Sequence, residues 1–224
     1  EDAKPHAVRQ HATRKIRLGM IGNGAAGMPA ADGKGGASKD LRKGQDLVLG
    51  IASRLPKTRY AWVFVGPKWA DTAAVLRADG WTVIYPGPLP EPEHYRAYGE
   101  IDIYLMLSRI EGGPLPLLET MGCGIWPIAT PAGFAPEVIR DGETGALVRE
   151  YDGQNGTDVV CDVVARVREM NRYKLDAARD AVADSVAHLT WKRFAENVSA
   201  VLRATTLDTS SPSVAATLHK AKHG

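Results

Sequence analysis

Short apolar runs recur along the chain and alternate with segments in which apolar residues return at helical spacing. The apolar runs predict strands over residues 15–21, 60–65, 81–85, 101–107, 125–130 and 145–148. Helical spacing predicts helices over residues 41–55, 71–79, 91–98 and 114–121, with a further helical turn near residues 135–139. Strands that alternate with helices in this way form right-handed βαβ crossovers. The pattern therefore predicts an α/β fold with a single Rossmann-like, doubly wound parallel sheet.

The two ends of the chain lack this alternation. Residues 1–14 are polar and show no periodicity, which predicts an incoming linker. From residue 155 to residue 204 the pattern is helical only, so extra helices are expected after the last strand. Residues 205–224 are rich in Ser, Thr and Ala, which predicts a flexible tail. The resulting prediction is one domain over residues 15–204.

Composition narrows the class of protein without identifying it. The chain has 224 residues, of which 44% are hydrophobic, and this suits one well-formed core. A net charge of +2, from 28 basic and 26 acidic side chains, gives no reason to expect a nucleic-acid partner. No apolar run is long enough to cross a membrane, and the first residues lack the apolar core of a signal peptide. A cytoplasmic location is therefore expected.

The cysteines and histidines do not indicate a metal site. Cys123 and Cys161 lie far apart and without metal-ligand spacing, which favours two small buried side chains in a reducing compartment. The six histidines also show no ligand spacing among them. We therefore expect no metal ion.

A G-x-G-x-x-G sequence, GNGAAG, occupies residues 22–27 directly after the first predicted strand. Such a sequence binds a dinucleotide when a helix follows at once. Here Met28-Pro29 and a glycine-rich stretch around Lys34 follow, and neither favours a helix. The next strand also ends in Gly-Pro-Lys rather than in an acidic residue. A loop is the better prediction, and a nicotinamide-dependent enzyme is a distant alternative.

Residues 108–148 carry the features most typical of a ligand site. The preceding strand ends at the carboxyl edge of the sheet, where ligands of such folds bind. A tight turn follows at Gly112 and Gly113, and a helix begins at the proline after them. The backbone amides of Leu117 and Leu118 are expected to face a phosphate there, with the helix dipole in support.

Two glutamates bracket this helix start. Glu111 lies on the loop and Glu119 lies within the helix, and both can accept hydrogen bonds from hydroxyl groups. Either glutamate alone is more readily explained as a solvated surface residue. Their placement around a Gly-Gly-Pro helix start at the edge of a sheet favours a shared site. A second loop over residues 130–134 (TPAGF) follows the next strand and is expected to line the same cleft.

Residues 111–148 resemble the donor-site signature of glycosyltransferase family 4, the retaining GT-B enzymes with an E-x7-E motif. Glu111 and Glu119 are separated by seven residues, as that motif requires. Upstream, the sequence Arg-Lys-Gly that ends at Gly44 resembles the family's Lys-Gly helix start. Downstream, TWKRF around Trp191 resembles its C-terminal helix, so the resemblance covers about residues 15–204.

The resemblance implies a role for each candidate residue. Glu111 would be the catalytic-site residue that holds hydroxyls of the donor sugar, and Glu119 would hold the ribose hydroxyls. The backbone amides of Gly112, Gly113 and the two leucines would bind the sugar and the diphosphate.

A lysine is implied to balance the diphosphate charge, and it falls at Lys43. On the sequence alone, a solvated lysine at a helix start competes with this interpretation. The family usually also has an arginine in the loop after the first strand. Asn23 stands at that place here, and Arg42 or Lys39 is the candidate to substitute for it.

The implied function is that of the donor-binding half of a hexosyltransferase-like, retaining glycosyltransferase. The nucleotide-diphosphate sugar would be its substrate, and no cofactor or metal would be needed. Family members carry a preceding domain that binds the acceptor, so the chain is expected to be inactive without this missing N-terminal domain. Peripheral membrane association of the full enzyme is left open. The alternative is a non-catalytic sugar-nucleotide-binding or interaction module with the same fold.

Overall fold

The fold is built on one parallel β-sheet. The computed structural model describes residues 14–24, 42–90, 93–149 and 156–207. The strands are β1 (Ile16–Ile21), β2 (Tyr60–Val65), β3 (Val83–Ile84), β4 (Ile103–Met106), β5 (Trp126–Ala129) and β6 (Ala146–Leu147). They pair in the order β3-β2-β1-β4-β5-β6, and every pair is parallel. This confirms the predicted α/β, doubly wound sheet.

Helices connect successive strands and follow the last one. They are α1 (Val48–Ala52), α2 (Ala70–Ala78), α3 (Glu93–Tyr98), α4 (Leu115–Gly122), α5 (Ala135–Val138), α6 (Thr157–Glu169), α7 (Arg172–Val186) and α8 (Trp191–Leu207). The chain divides into two compact units between Val186 and Ala187, so α8 belongs to a unit of its own. Within α8, apolar residues recur at helical spacing and give the helix one apolar face.

The core surrounds the central strands. Every residue of β1, β2, β4 and β5 is buried, as expected for parallel strands with both faces covered. Trp62 and Phe64 stack at 5.8 Å between ring centroids, and Phe64 stacks on Trp69 at 4.9 Å. The outer strands β3 and β6 have two residues each and are shorter than predicted, because each pairs with a neighbour on one side only.

Two predicted helix boundaries are wrong. The helix predicted from residue 41 begins only with a 3-10 turn at Gln45–Leu47, because Gly44 adopts a left-handed conformation with φ 71°. The last helix continues to Leu207, into the predicted tail, since no helix-breaking residue interrupts it. The predictions for residues 1–13, 25–41, 91–92, 150–155 and 208–224 lie outside the described residues.

A buried ion network fixes the amino ends of the middle strands. The Asp102 carboxylate accepts a hydrogen bond from the backbone N–H of Arg17 at 2.8 Å and lies 2.9 Å from Nη1 of Arg172 on α7. The side chains of Arg17 and Asp102 are only 3% and 2% exposed. Burial alone would raise the pKa of Asp102, but the Arg172 hydrogen bond and the Arg17 charge outweigh it and lower that pKa.

A close backbone contact holds the start of the α1 region against the end of β4. A Cβ atom on Gly44 would overlap the carbonyl oxygen of Leu107 and would lie 2.7 Å from its Cβ. Both the positive φ and this contact require glycine. The contact sets the turn that precedes α1 beside the loop that follows β4.

Asp102→Asn should lower the free energy of unfolding by about 3–5 kcal/mol, because it leaves Arg17 and Arg172 buried without the carboxylate between them. Urea denaturation at neutral pH measures the change. Asp79→Asn is the matched control, since its pair with Lys57 is exposed (63% and 42%) and should be worth less than about 1 kcal/mol. Equal costs for the two variants would contradict the assigned role of the network.

The same substitution should flatten the dependence of stability on acid pH. The folded-state pKa of Asp102 lies below its unfolded value of about 4, so its stabilisation is present above that pH and is lost as the pH falls through the folded pKa. Between about pH 5 and about pH 3, wild type should therefore lose more unfolding free energy than Asp102→Asn. Parallel losses would show that other carboxylates determine the acid sensitivity.

Gly44→Ala should destabilise the protein more than Gly80→Ala. Gly80 also has a positive φ, 83°, but no atom lies within 4 Å of its Cβ position, so alanine there costs only the left-handed strain of about 1–2 kcal/mol. At Gly44 the new methyl group must also displace Leu107, which adds roughly 1–3 kcal/mol. Thermal or urea denaturation of both variants gives the difference, and equal losses would show that the close contact is unimportant.

Candidate functional site

The site lies at the carboxyl edge of the sheet, between β1 and β4. From β1 the chain continues to β2 and β3 on one side, whereas β4, β5 and β6 extend the sheet on the other. Ligands of open α/β sheets bind in the crevice at such a reversal of strand order. The end of β5 is joined to the end of β4 there, because the Thr130 hydroxyl donates to the carbonyl of Ser108 (2.6 Å) and its backbone N–H donates to the carbonyl of Met106 (3.0 Å).

Two of the predicted site residues meet in an ion pair across this crevice. Nζ of Lys43, in the turn before α1, contacts Oε1 of Glu111, in the loop after β4. Their side chains are 19% and 7% exposed. The amine also lies beside Gly22 at the end of β1, 3.8 Å from where a Cβ on that glycine would be. The carboxylate of Glu111 thus balances the charge of the lysine.

A second ion pair connects the same two segments. Arg109 binds Asp46 through both terminal nitrogens, at 2.8 and 2.7 Å, and its backbone N–H donates to the carbonyl of Arg42 at 2.8 Å. The two-bond geometry is the strong form of an arginine–carboxylate contact. Sequence analysis missed Asp46 and Arg109, since nothing in their spacing from the candidate residues indicated that they pair. Arg42 itself is exposed at the start of the turn.

The start of α4 differs in one respect from the expectation. The amide of Leu117 donates to the carbonyl of Pro114 at 2.8 Å, within the first turn, and Leu117 is fully buried. Leu118, one position on, is half-buried. By contrast, Gly112 and Gly113 are exposed, and their amides donate to no described residue. The turn before α4 therefore offers the two glycine amides to a ligand more directly than the amide of Leu117.

The TPAGF loop packs on the loop that carries Glu111. At Gly133, which has φ 57°, a Cβ atom would lie 3.0 Å from both Cβ of Glu111 and Cδ of Pro114. The Phe134 ring lies 3.5 Å from where a Cβ on Gly113 would be. The structure thus brings this loop to the same crevice.

Two buried tyrosines surround the second glutamate. The Tyr98 hydroxyl donates to Oε2 of Glu119 at 2.8 Å. Burial, and then this hydrogen bond, raise the pKa of Tyr98. The pKa of Tyr104 is also raised, mainly by burial and to a lesser extent by the negative charges of Glu111 and Glu119. Glu119 lies within α4, the helix that follows the loop carrying Glu111. Sequence analysis missed both tyrosines because they sit in an ordinary helical and an ordinary strand pattern.

Asn23 follows β1 and is exposed. The glycines on either side of it donate their amides to the carbonyls of Val65 (2.9 Å) and Pro67 (3.0 Å). The remaining positions of the G-x-G-x-x-G sequence, and Lys39, lie outside the described residues.

The described ranges contain neither a metal-ligand cluster nor a membrane-spanning helix. Within them, no three His, Cys, Asp or Glu side chains come together as a metal site. None of the described helices is both long and apolar enough to cross a membrane. Cys123 is half-buried, whereas Cys161 is exposed on α6, because that helix turns its valines rather than its cysteine toward the core.

Comparison with known proteins adds the family. The family model described as "Glycosyl transferases group 1" matches residues 38–173. A GDP-mannose-dependent alpha-(1-6)-phosphatidylinositol monomannoside mannosyltransferase of Mycolicibacterium smegmatis is 30% identical over 57% of the chain and 37% of the relative. A sulfoquinovosyl transferase of Arabidopsis thaliana is 30% identical over 50% of the chain and 22% of the relative. The chain thus spans well under two thirds of these curated relatives.

Solved structures agree on the fold. A sucrose-phosphate synthase of Thermosynechococcus elongatus gives a TM-score of 0.65 at 16% identity, over 89% of this chain and 47% of that one. Anabaena HepE in complex with UDP and glucose gives a TM-score of 0.57 at 16% identity, over 83% and 48% of the two chains. At these identities the likeness shows the fold alone. The family match, however, covers more than half of the sequence, and the chain therefore belongs to the glycosyl transferases group 1 family.

Proposed function

We propose that this chain is the donor-binding domain of a retaining glycosyltransferase and that it binds a nucleotide-diphosphate sugar between β1 and β4. The observation that carries the proposal is the contact of Lys43 with Glu111 at the strand-order reversal, with Glu119 nearby on α4. A cation, two carboxylates and exposed backbone amides suit a ligand that has both phosphates and hydroxyl groups.

Each group has a distinct role in the proposal. Lys43 receives the diphosphate as a point charge, and the amides of Gly112 and Gly113 donate to phosphate or sugar oxygens. The Glu111 carboxylate accepts hydrogen bonds from sugar hydroxyls. Glu119 accepts them from the ribose. HepE was solved with UDP and glucose, and the mycobacterial relative is GDP-mannose-dependent, which supports a nucleotide sugar as the ligand class.

Transfer also needs an acceptor, and in this proposal a preceding domain holds it. The bond between the anomeric carbon and the diphosphate breaks, and the cationic site stabilises the charge on the leaving diphosphate. The acceptor oxygen then bonds to the same face of the anomeric carbon, and its proton passes to a diphosphate oxygen. A preceding domain would hold the acceptor, which fits the finding that the chain covers about half of each solved relative.

A non-catalytic sugar-nucleotide-binding module is the second candidate. The exposed Asn23, at the place where the resembled family has an arginine, favours it. A donor-turnover assay on the protein with its preceding domain separates the two: release of free nucleoside diphosphate from a nucleotide sugar supports the enzyme, and binding without release supports the module.

Calorimetric titration with UDP, GDP, ADP and their sugar conjugates should give saturable binding to one nucleotide series. Glu119→Ala should weaken that binding about 10- to 100-fold, because hydroxyl groups lose a charged acceptor. Glu143→Ala is the matched control, since Glu143 is 72% exposed and its ion pair is with Arg140, which is 60% exposed. Equal affinities in the two variants would remove Glu119 from the site.

Glu111→Gln should affect the binding of the nucleoside diphosphate and of the nucleotide sugar differently. Glu111 forms an ion pair with Lys43, so in this proposal its carboxylate competes with the diphosphate for the lysine. Removing that charge should tighten binding of the nucleoside diphosphate alone, while binding of the nucleotide sugar gains less or weakens because a sugar contact is lost. Lys43→Gln should weaken both ligands. If Glu111→Gln weakens the nucleoside diphosphate as well, the two groups do not compete.

A further inference from the structure

The hydrogen bond from Tyr98 to Glu119 links two helices on either side of β4. Tyr98 is the last residue of α3, which precedes the strand, and Glu119 lies in α4, which follows it. Tyr98 is only 2% exposed, and its hydroxyl is 2.8 Å from Oε2 of the glutamate. Among the described residues, Oε1 of Glu119 has no hydrogen-bond partner. The carboxylate is therefore held by one oxygen and open at the other.

Tyr98 is a fixed donor. Its ring packs edge-on against Tyr95, with 5.8 Å between centroids, which limits rotation of the side chain. Burial raises the pKa of its hydroxyl, so the proton stays on the phenol oxygen and remains available to the carboxylate.

A fixed donor matters because a glutamate side chain has several rotatable bonds. A free carboxylate must lose this freedom when it binds a ligand, and that loss weakens binding. With Oε2 already engaged, Oε1 is presented in one direction before the ligand arrives. Glu119 lies on one helix and its donor Tyr98 on another, so two packed helices fix the orientation of the carboxylate.

We propose that Tyr98 is a positioning residue that presents the Glu119 carboxylate to the vicinal hydroxyls of the nucleotide ribose. The proposal rests on the function proposed above, in which Glu119 receives those hydroxyls. Tyr98 does not contact the donor and acts only through the carboxylate. Ribose recognition therefore depends on a side chain outside the E-x7-E motif.

The test is a titration of Tyr98→Phe with two probes: the nucleoside diphosphate that wild type binds best among UDP, GDP and ADP, and its 2′,3′-dideoxy counterpart. Phenylalanine keeps the ring and its packing but removes the donor. Affinity for the ribonucleotide should fall about three- to tenfold. Affinity for the dideoxy probe should be unchanged, since that probe has no hydroxyl for Glu119 to bind.

Two further variants complete the design. Tyr60→Phe removes another buried hydroxyl. Tyr60 lies at the amino end of β2, and its hydroxyl makes a weak contact with the carbonyl of Val167 on α6, so this substitution should leave both affinities unchanged. In a Glu119→Gln background, the Tyr98→Phe substitution should lower the affinity for the ribonucleotide less than it does in wild type, because no carboxylate remains to be positioned.

The outcomes separate this inference from the proposed function. If Tyr98→Phe weakens both probes equally, or neither, then Tyr98 has a structural role or none, and the inference is overturned. If wild type binds the ribonucleotide and the dideoxy probe equally, Glu119 does not receive the ribose, and the inference falls while nucleotide binding stands. If folded wild type binds no nucleotide, the proposed function fails and the inference fails with it.

Discussion

The ion pair between Lys43 and Glu111 is the interaction on which the site depends. It joins the turn before α1 to the loop after β4, two segments that the strand order brings side by side. At 19% and 7% exposure both charged side chains lose part of their hydration, and the contact between them compensates for that loss. The pair therefore balances the two charges and holds both side chains at the crevice between β1 and β4.

This arrangement also explains why the surrounding contacts are so close. Gly44 packs against the carbonyl of Leu107, and Arg109 binds both the side chain of Asp46 and the backbone carbonyl of Arg42. With the Lys43–Glu111 pair, the same two segments are joined at four points. In the proposed function, a diphosphate that enters the site replaces Glu111 as the partner of the lysine. The sheet and its buried network at the opposite edge provide the rigid support for that exchange.

Much of the fold and part of the site could be predicted from the sequence. The central strands were predicted correctly because parallel strands that are buried on both faces are nearly continuous apolar runs. Glu111 and Glu119 were predicted as site residues because the motif places one before and one after the start of a single helix, and their role in binding stays a prediction. The start of α1 was not found, since the left-handed Gly44 has no signature in hydrophobic spacing. Tyr98 was missed because its contact with Glu119 joins residues 21 positions apart and depends on how two helices pack.

A crystal structure of the protein with its preferred nucleoside diphosphate, UDP, GDP or ADP, tests the central claim most directly. The account predicts that Nζ of Lys43 leaves Glu111 for a phosphate oxygen, that the amides of Gly112 and Gly113 face the ligand, and that Glu119 binds the ribose hydroxyls. A nucleotide bound elsewhere on the sheet, with the Lys43–Glu111 pair intact, would contradict it.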